Sequence, residues 1–127
     1  MQLLKLGVSY IFGRVNIGRG YADNLRELTM YAVINQLHFN KPVDELGVAV
    51  RNEGMPLLAS LPGFRDFYFI KVSDDRGVVI ILWEDAASAE SGAKAFGPTW
   101  FAKNFAPYLA SDQQRTGGAV IVQYDAG

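Results

Sequence analysis

LPGFRDFYFIKVSDDRGVVIILWEDA, residues 61–86, decides the fold. Residues 64–72 are rich in aromatic and β-branched side chains, residues 73–77 form a charged turn ending in glycine, and residues 78–83 are an unbroken apolar run. That is the pattern of two strands and a turn. A strand with one wet face alternates polar and apolar residues, so VVIILW predicts a strand covered on both faces. Something must lie against each side of the sheet.

Upstream, residues 30–39 (MYAVINQLHF) predict another strand. Tyr31, Val33, Asn35, Leu37 and Phe39 share one face, and Ala32, Ile34, Gln36 and His38 share the other. Beyond Pro42 the apolar period changes from two to about 3.6. Val43, Leu46, Gly47, Val50, Gly54, Leu57, Leu58 and Leu61 then form one helical stripe. Pro56 removes a helical hydrogen bond and predicts a kink, but it lies off the stripe, so both halves can face one core.

Downstream, Asp85 and Ser88 suit the start of a second helix, with Ala89, Ala93 and Phe96 on its inner face. Gly97-Pro98 predicts a break and restart, Trp100, Phe101, Phe105, Tyr108 and Leu109 continue the apolar side, and Pro107 closes it. Residues 111–117 read as polar loop and residues 118–124 (GAVIVQY) as a last strand. The order strand, helix, strand, strand, helix, strand predicts an α+β ferredoxin-like plait: a four-stranded antiparallel sheet with two helices on one face. Two helices cover only that face, yet the strands are apolar on both. The economical cover for the other is a second copy, which predicts a homodimer packed sheet to sheet.

Composition narrows the function classes. The 127 residues carry no cysteine, which removes thiol chemistry and disulfides and fits a cytoplasmic protein. The 12 basic and 13 acidic residues are scattered, with a net charge of -1, so a nucleic-acid partner is not expected. No stretch approaches the roughly 20 apolar residues that span a bilayer, so no membrane partner is expected either. One histidine without a helical carboxylate partner predicts no metal site.

Residues 1–29 differ from the rest, with Lys5, Arg14, Arg19 and Arg26 against Asp23 and Glu27. Gly18-Arg19-Gly20 lacks the third glycine of a dinucleotide fingerprint, since Asp23 stands there. The segment is expected to be either an extension docking through Leu4, Tyr10 and Phe12, or the product of an upstream start codon with Met30 as natural first residue. In both cases residues 30–127 form the domain.

The opening MYAVINQ, the helix end EGMPLLASLPGF (residues 53–64), the hairpin running into LWEDAASAE and the short final strand resemble the antibiotic biosynthesis monooxygenase domain of the dimeric α/β-barrel superfamily. That resemblance covers about three quarters of the chain and implies the same plait and homodimer. The superfamily includes cofactor-independent quinone-forming monooxygenases, haem-degrading enzymes, isomerases and decarboxylases, so the fold alone does not decide the chemistry. Haem degraders resemble this chain in placing an Asn on the first strand, where Asn35 stands. They also use a Trp and a His on the second helix, but residues 88–104 hold no His, and Trp100 lies several residues beyond the expected place.

Cofactor-independent members need only an apolar cavity for an electron-rich aromatic molecule and polar groups that support its anion. On that resemblance Asn35 is the expected catalytic group, with Trp83, Trp100 and His38 contacting substrate. Each has a structural alternative. Asn35 can be a buried amide bonded to backbone, His38 a residue at the rim or dimer interface, and the tryptophans core anchors. Catalysis of this type needs a closed cavity of about 300 Å³ or more with convergent polar groups. If Phe96, Trp100, Phe101 and Phe105 fill that space, the catalytic reading fails and a non-catalytic binding or assembly module remains.

Overall fold

A computed structural model describes residues 29–126. Both expectations for residues 1–29 fall almost wholly outside the described residues. Strands β1 (Tyr31–His38), β2 (Phe64–Lys71), β3 (Arg76–Trp83) and β4 (Gln114–Ala119) form one antiparallel sheet in the order β2-β3-β1-β4. Helices α1 (Val43–Ala49) and α2 (Met55–Ala59) follow β1, and α3 (Ala86–Phe96) and α4 (Ala102–Asn104) follow β3. This is the ferredoxin-like plait that the element order predicts.

The core lies between the helices and one sheet face. Val33 and Leu37 of β1, Val79, Ile81 and Trp83 of β3, and Val43, Leu46, Val50, Leu58 and Ala89 from the helices are all buried. In the apolar run of β3 the odd-numbered residues are buried and the even-numbered Val78, Ile80 and Leu82 only half-buried. Period-two geometry thus sends half of an entirely apolar strand to the face away from the helices. Beside it on β2, Tyr68 and Ile70 are 53% and 43% exposed.

Both prolines that interrupt the apolar stripes act by widening the helix. Between α1 and α2, Val50–Gly54 forms a π-helical turn immediately before Pro56. After α3, Gly97–Phe101 forms another around Pro98. A proline ring presses on the carbonyl four residues back and offers it no N–H, and the wider turn relieves that contact. Side chains take up carbonyls before and within the second turn: Thr99 Oγ1 donates to Ala95 O at the end of α3 at 2.5 Å, and Asn104 Nδ2 donates to Trp100 O at 3.0 Å. The expected break at Gly97-Pro98 is therefore a continuous helical path with one wide turn. Asp85 caps α3, its carboxylate accepting from Ser88 N at 2.7 Å, as its position predicts.

The last strand corrects the sequence expectation. Pairing runs from Gln114 to Ala119, through residues expected to be loop, while most of GAVIVQY continues past the sheet with Ile121, Val122 and Tyr124 at least 81% exposed. Tertiary contacts set this register. The chain meets β1 as soon as the helical layer closes: Leu109 bridges to Phe39, and Ala110 N donates to His38 O at 2.7 Å. The edge of β1 is then covered from that end, and the pairing reaches Tyr31 when β4 has reached Ala119.

Candidate functional site

Asn35 is the one buried polar residue of the described core, 8% exposed at the middle of β1. Odd parity turns it toward the helices, among Val33, Ile81 and Trp83. The helix above it carries small residues on its inner face: Ala89, Gly92, Ala93 and Gly97 recur at helical spacing. Large side chains at these positions would fill the space below. Here a cavity of about 190 Å³ is left, walled also by Leu58, Phe96 and Phe101 and bordered at its open side by Gln113 and Arg115.

A second chamber of about 40 Å³ shares Asn35, Ile81, Phe96 and Phe101 with the first and adds Trp100 and Phe105. Trp100 is 7% exposed, stacked on Phe96 at 5.3 Å between ring centres and edge-on to Phe105 at 5.1 Å. Gly54, in the first π turn, lies close against its indole: a Cβ there would sit 3.2 Å from the ring, so the indole would have to shift by a few tenths of an ångström. The two wide turns thus meet over the inner chamber.

The volume is below the roughly 300 Å³ expected of a closed cavity, and the cavity opens at β4. The reason is the aromatic group named from the sequence. Phe96, Trp100, Phe101 and Phe105 crowd the inner chamber and leave the larger space beside the small residues of α3. An engineered cavity of about 150 Å³ in another protein holds one benzene molecule, so this one is the size of a single substituted ring.

Two buried polar atoms have no hydrogen-bond partner among the described residues: Asn35 Oδ1, an acceptor, and Trp100 Nε1, a donor. Both residues line the inner chamber. The Asn35 amide oxygen is therefore not satisfied by the described backbone. Trp83, 2% exposed, borders the main cavity and also packs edge-on against Phe64 at 6.0 Å, so it is wall and core anchor together.

His38 does not join them. Its even parity turns it from the helices, and its Nε2 lies 3.1 Å from Asp75 Oδ2 in the β2–β3 turn. This hydrogen bond holds the Asp75 carboxyl below its ordinary range. His38 thus links strand ends and does not line either cavity. Across the same end, Lys71 donates to Asp44 at 3.0 Å, and this bond holds the Lys71 ammonium above its ordinary range. Gln113 and Arg115, at the open side, were missed because their segment reads as loop.

No known family pattern matches the chain, and no curated protein does. Solved structures do. The monooxygenase ActVA-Orf6 of Streptomyces coelicolor, in complex with Nanaomycin D, is 12% identical and superposes with a TM-score of 0.64 over 78% of this chain and 94% of its own. The fold is that of the antibiotic biosynthesis monooxygenases. SnoaB of Streptomyces nogalater, a cofactor-independent oxygenase, is 17% identical with a TM-score of 0.57 over 77% of this chain and 97% of its own. A dimeric ferredoxin-like protein from an uncultured marine organism is 15% identical with a TM-score of 0.55 over 76% and 99%. Among the described residues no helix is long and apolar enough to cross a membrane.

Proposed function

We propose that the chain binds a single-ring phenol between sheet and helices and oxidises it with molecular oxygen, without a bound cofactor. The observation that carries this reading is the pair of unpartnered polar atoms, Asn35 Oδ1 and Trp100 Nε1, on residues of one apolar chamber. Leaving a buried polar group unpaired costs about 1–3 kcal/mol. A phenolic hydroxyl suits both, since it donates to the amide oxygen and accepts from the indole N–H. Once the proton has passed to solvent, the indole N–H still supports the phenolate.

An electron-rich phenolate can reduce oxygen directly. Phenol and O2 give quinone and water: the ring loses four electrons, one oxygen atom becomes the new carbonyl, and the other leaves as water. The balance needs no external reductant. That SnoaB is a cofactor-independent oxygenase and ActVA-Orf6 a monooxygenase supports the reading. Oxygen uptake with a panel of single-ring phenols and hydroquinones tests it. Asn35→Ala is expected to lower the rate about 100-fold, and equal rates would remove Asn35 from its assigned role. The cavity's modest volume favours a second reading, a binding module without catalysis, for which ligand binds and no oxygen is consumed.

The active form in this proposal is a cytoplasmic homodimer joined through the outer sheet face. Ile34, Val78, Ile80 and Leu82 form its half-buried centre, flanked by exposed Tyr68, Ile70 and Val72, and such a patch is rarely left in water. The dimeric neighbour supports the same arrangement. Light scattering at micromolar concentration is expected to give twice the chain mass, and the mass of one chain would contradict it.

A further inference from the structure

β4 is exposed along its whole length, yet Arg115 borders the cavity. In the register of the sheet, Arg115 stands directly opposite Asn35. Opposed residues of an antiparallel pair carry their side chains on one face, with Cβ atoms about 4.5–5.5 Å apart. The side chains of Arg115, which lines the cavity, and of Asn35, whose buried amide oxygen has no partner, thus start side by side. Among the described residues that line the cavity, Arg115 is the only charged one. Among the described residues no carboxylate lies within 4.0 Å of its guanidinium; the ion pairs use His38, Lys41, Lys71 and Lys94.

We propose that the ligand is an aromatic monocarboxylate, with its ring among Trp83, Phe96 and Phe101 and its carboxylate held at the mouth by Arg115. The inference rests on the reading above that an aromatic molecule occupies this cavity, and it adds the chemical class. One cation matches one negative charge, which disfavours a phosphate carrying nearly two. A carboxylate conjugated to its ring is flat, suits a space the size of one ring, and accepts two parallel N–H bonds from a guanidinium. The charged end stays at the wet mouth, where its desolvation cost is small, while the ring is buried. Arg115 is then a specificity-determining residue.

The test compares 2,5-dihydroxybenzoate with its methyl ester by calorimetric titration under nitrogen, so that binding is read without oxidation. The acid is expected to bind the wild-type protein at least about tenfold more tightly than the ester. Arg115→Gln is expected to bring the two within about twofold, and Arg115→Lys to keep part of the preference. Asn35→Ala should weaken both ligands and leave their ratio unchanged. Because Arg115 is exposed on an edge strand, an unchanged thermal midpoint of Arg115→Gln shows that the fold is intact. Equal wild-type affinities for acid and ester, or a preference that survives Arg115→Gln, overturn the proposal. Binding of neither ligand overturns it together with the occupied-cavity reading. Tight binding of the acid without oxygen uptake sustains it and overturns only the oxygenase reading.

Discussion

Replacing Trp83 by alanine is expected to lower folding stability by about 3–5 kcal/mol, the range for removing a buried aromatic side chain. Trp83 ends β3 at the point where both neighbouring strands converge: its register partners are Tyr31 on β1 and Phe64 on β2. Its indole is 2% exposed, meets Phe64 edge-on and lies against Gly92 of α3. Truncation joins the lost volume to a space that is already open, and the sheet and α3 can close it only in part. Chemical denaturation followed by circular dichroism measures the loss. A drop below about 1 kcal/mol would show that α3 collapses onto the strand, and Trp83 would then be no anchor.

Gly92→Ala is expected to destabilise by about 1–3 kcal/mol, the cost of overpacking at a close helix–strand contact. The sign is what makes the prediction sharp. In the interior of a helix, alanine is ordinarily more stable than glycine by about 1 kcal/mol. At position 92 a methyl group would overlap rigid ring carbons of Trp83, so the buried indole or the helix must shift. The same substitution in a Trp83→Ala background should lose its penalty or become favourable, because the ring it strikes is gone. That non-additivity, read from the same denaturation curves, distinguishes the clash from a general defect in α3. A stabilising Gly92→Ala in the wild-type background would refute the close packing of helix on strand.

The glycine also bears on the cavity. Gly92 belongs to the stripe of small residues that leaves space over Asn35, and Ala89 and Ala93 of that stripe are visible in the sequence as the inner face of α3. Asn35 is equally legible, because a polar residue at the centre of an apolar strand face calls for a reason. Trp100 is legible as an inward-facing aromatic but not as an unpaired donor, because hydrogen-bond satisfaction depends on groups far away in sequence. The hydrogen bond of His38 is illegible for a related reason. Its parity pointed away from the helices, and its partner Asp75 reads as an ordinary turn residue until β2 and β3 are folded.

Arg115 and Gln113 escaped the sequence altogether. QRTGGA has weak strand propensity and GAVIVQY has strong propensity, so local preference places the last strand too late. A signal was nonetheless available. With the helical layer closing at Pro107 and the chain returning directly along β1, a strand starting only at Gly118 would leave most of that edge unpaired. Backbone pairing at an open edge outweighs the preference of individual side chains.

What the sequence determined by itself is the set of elements, their order and their inward faces, because periods of two and 3.6 are written in neighbours along the chain. From these follow the plait, the buried Asn35 and the surplus apolar face of the sheet. Only the tertiary structure decided where β4 pairs, how far the prolines widen the helices, and how much space remains between α3 and the sheet. These depend on backbone partners and side-chain volumes brought together across layers, and it is there that Asn35 comes to border both the cavity of Arg115 and the chamber of Trp100.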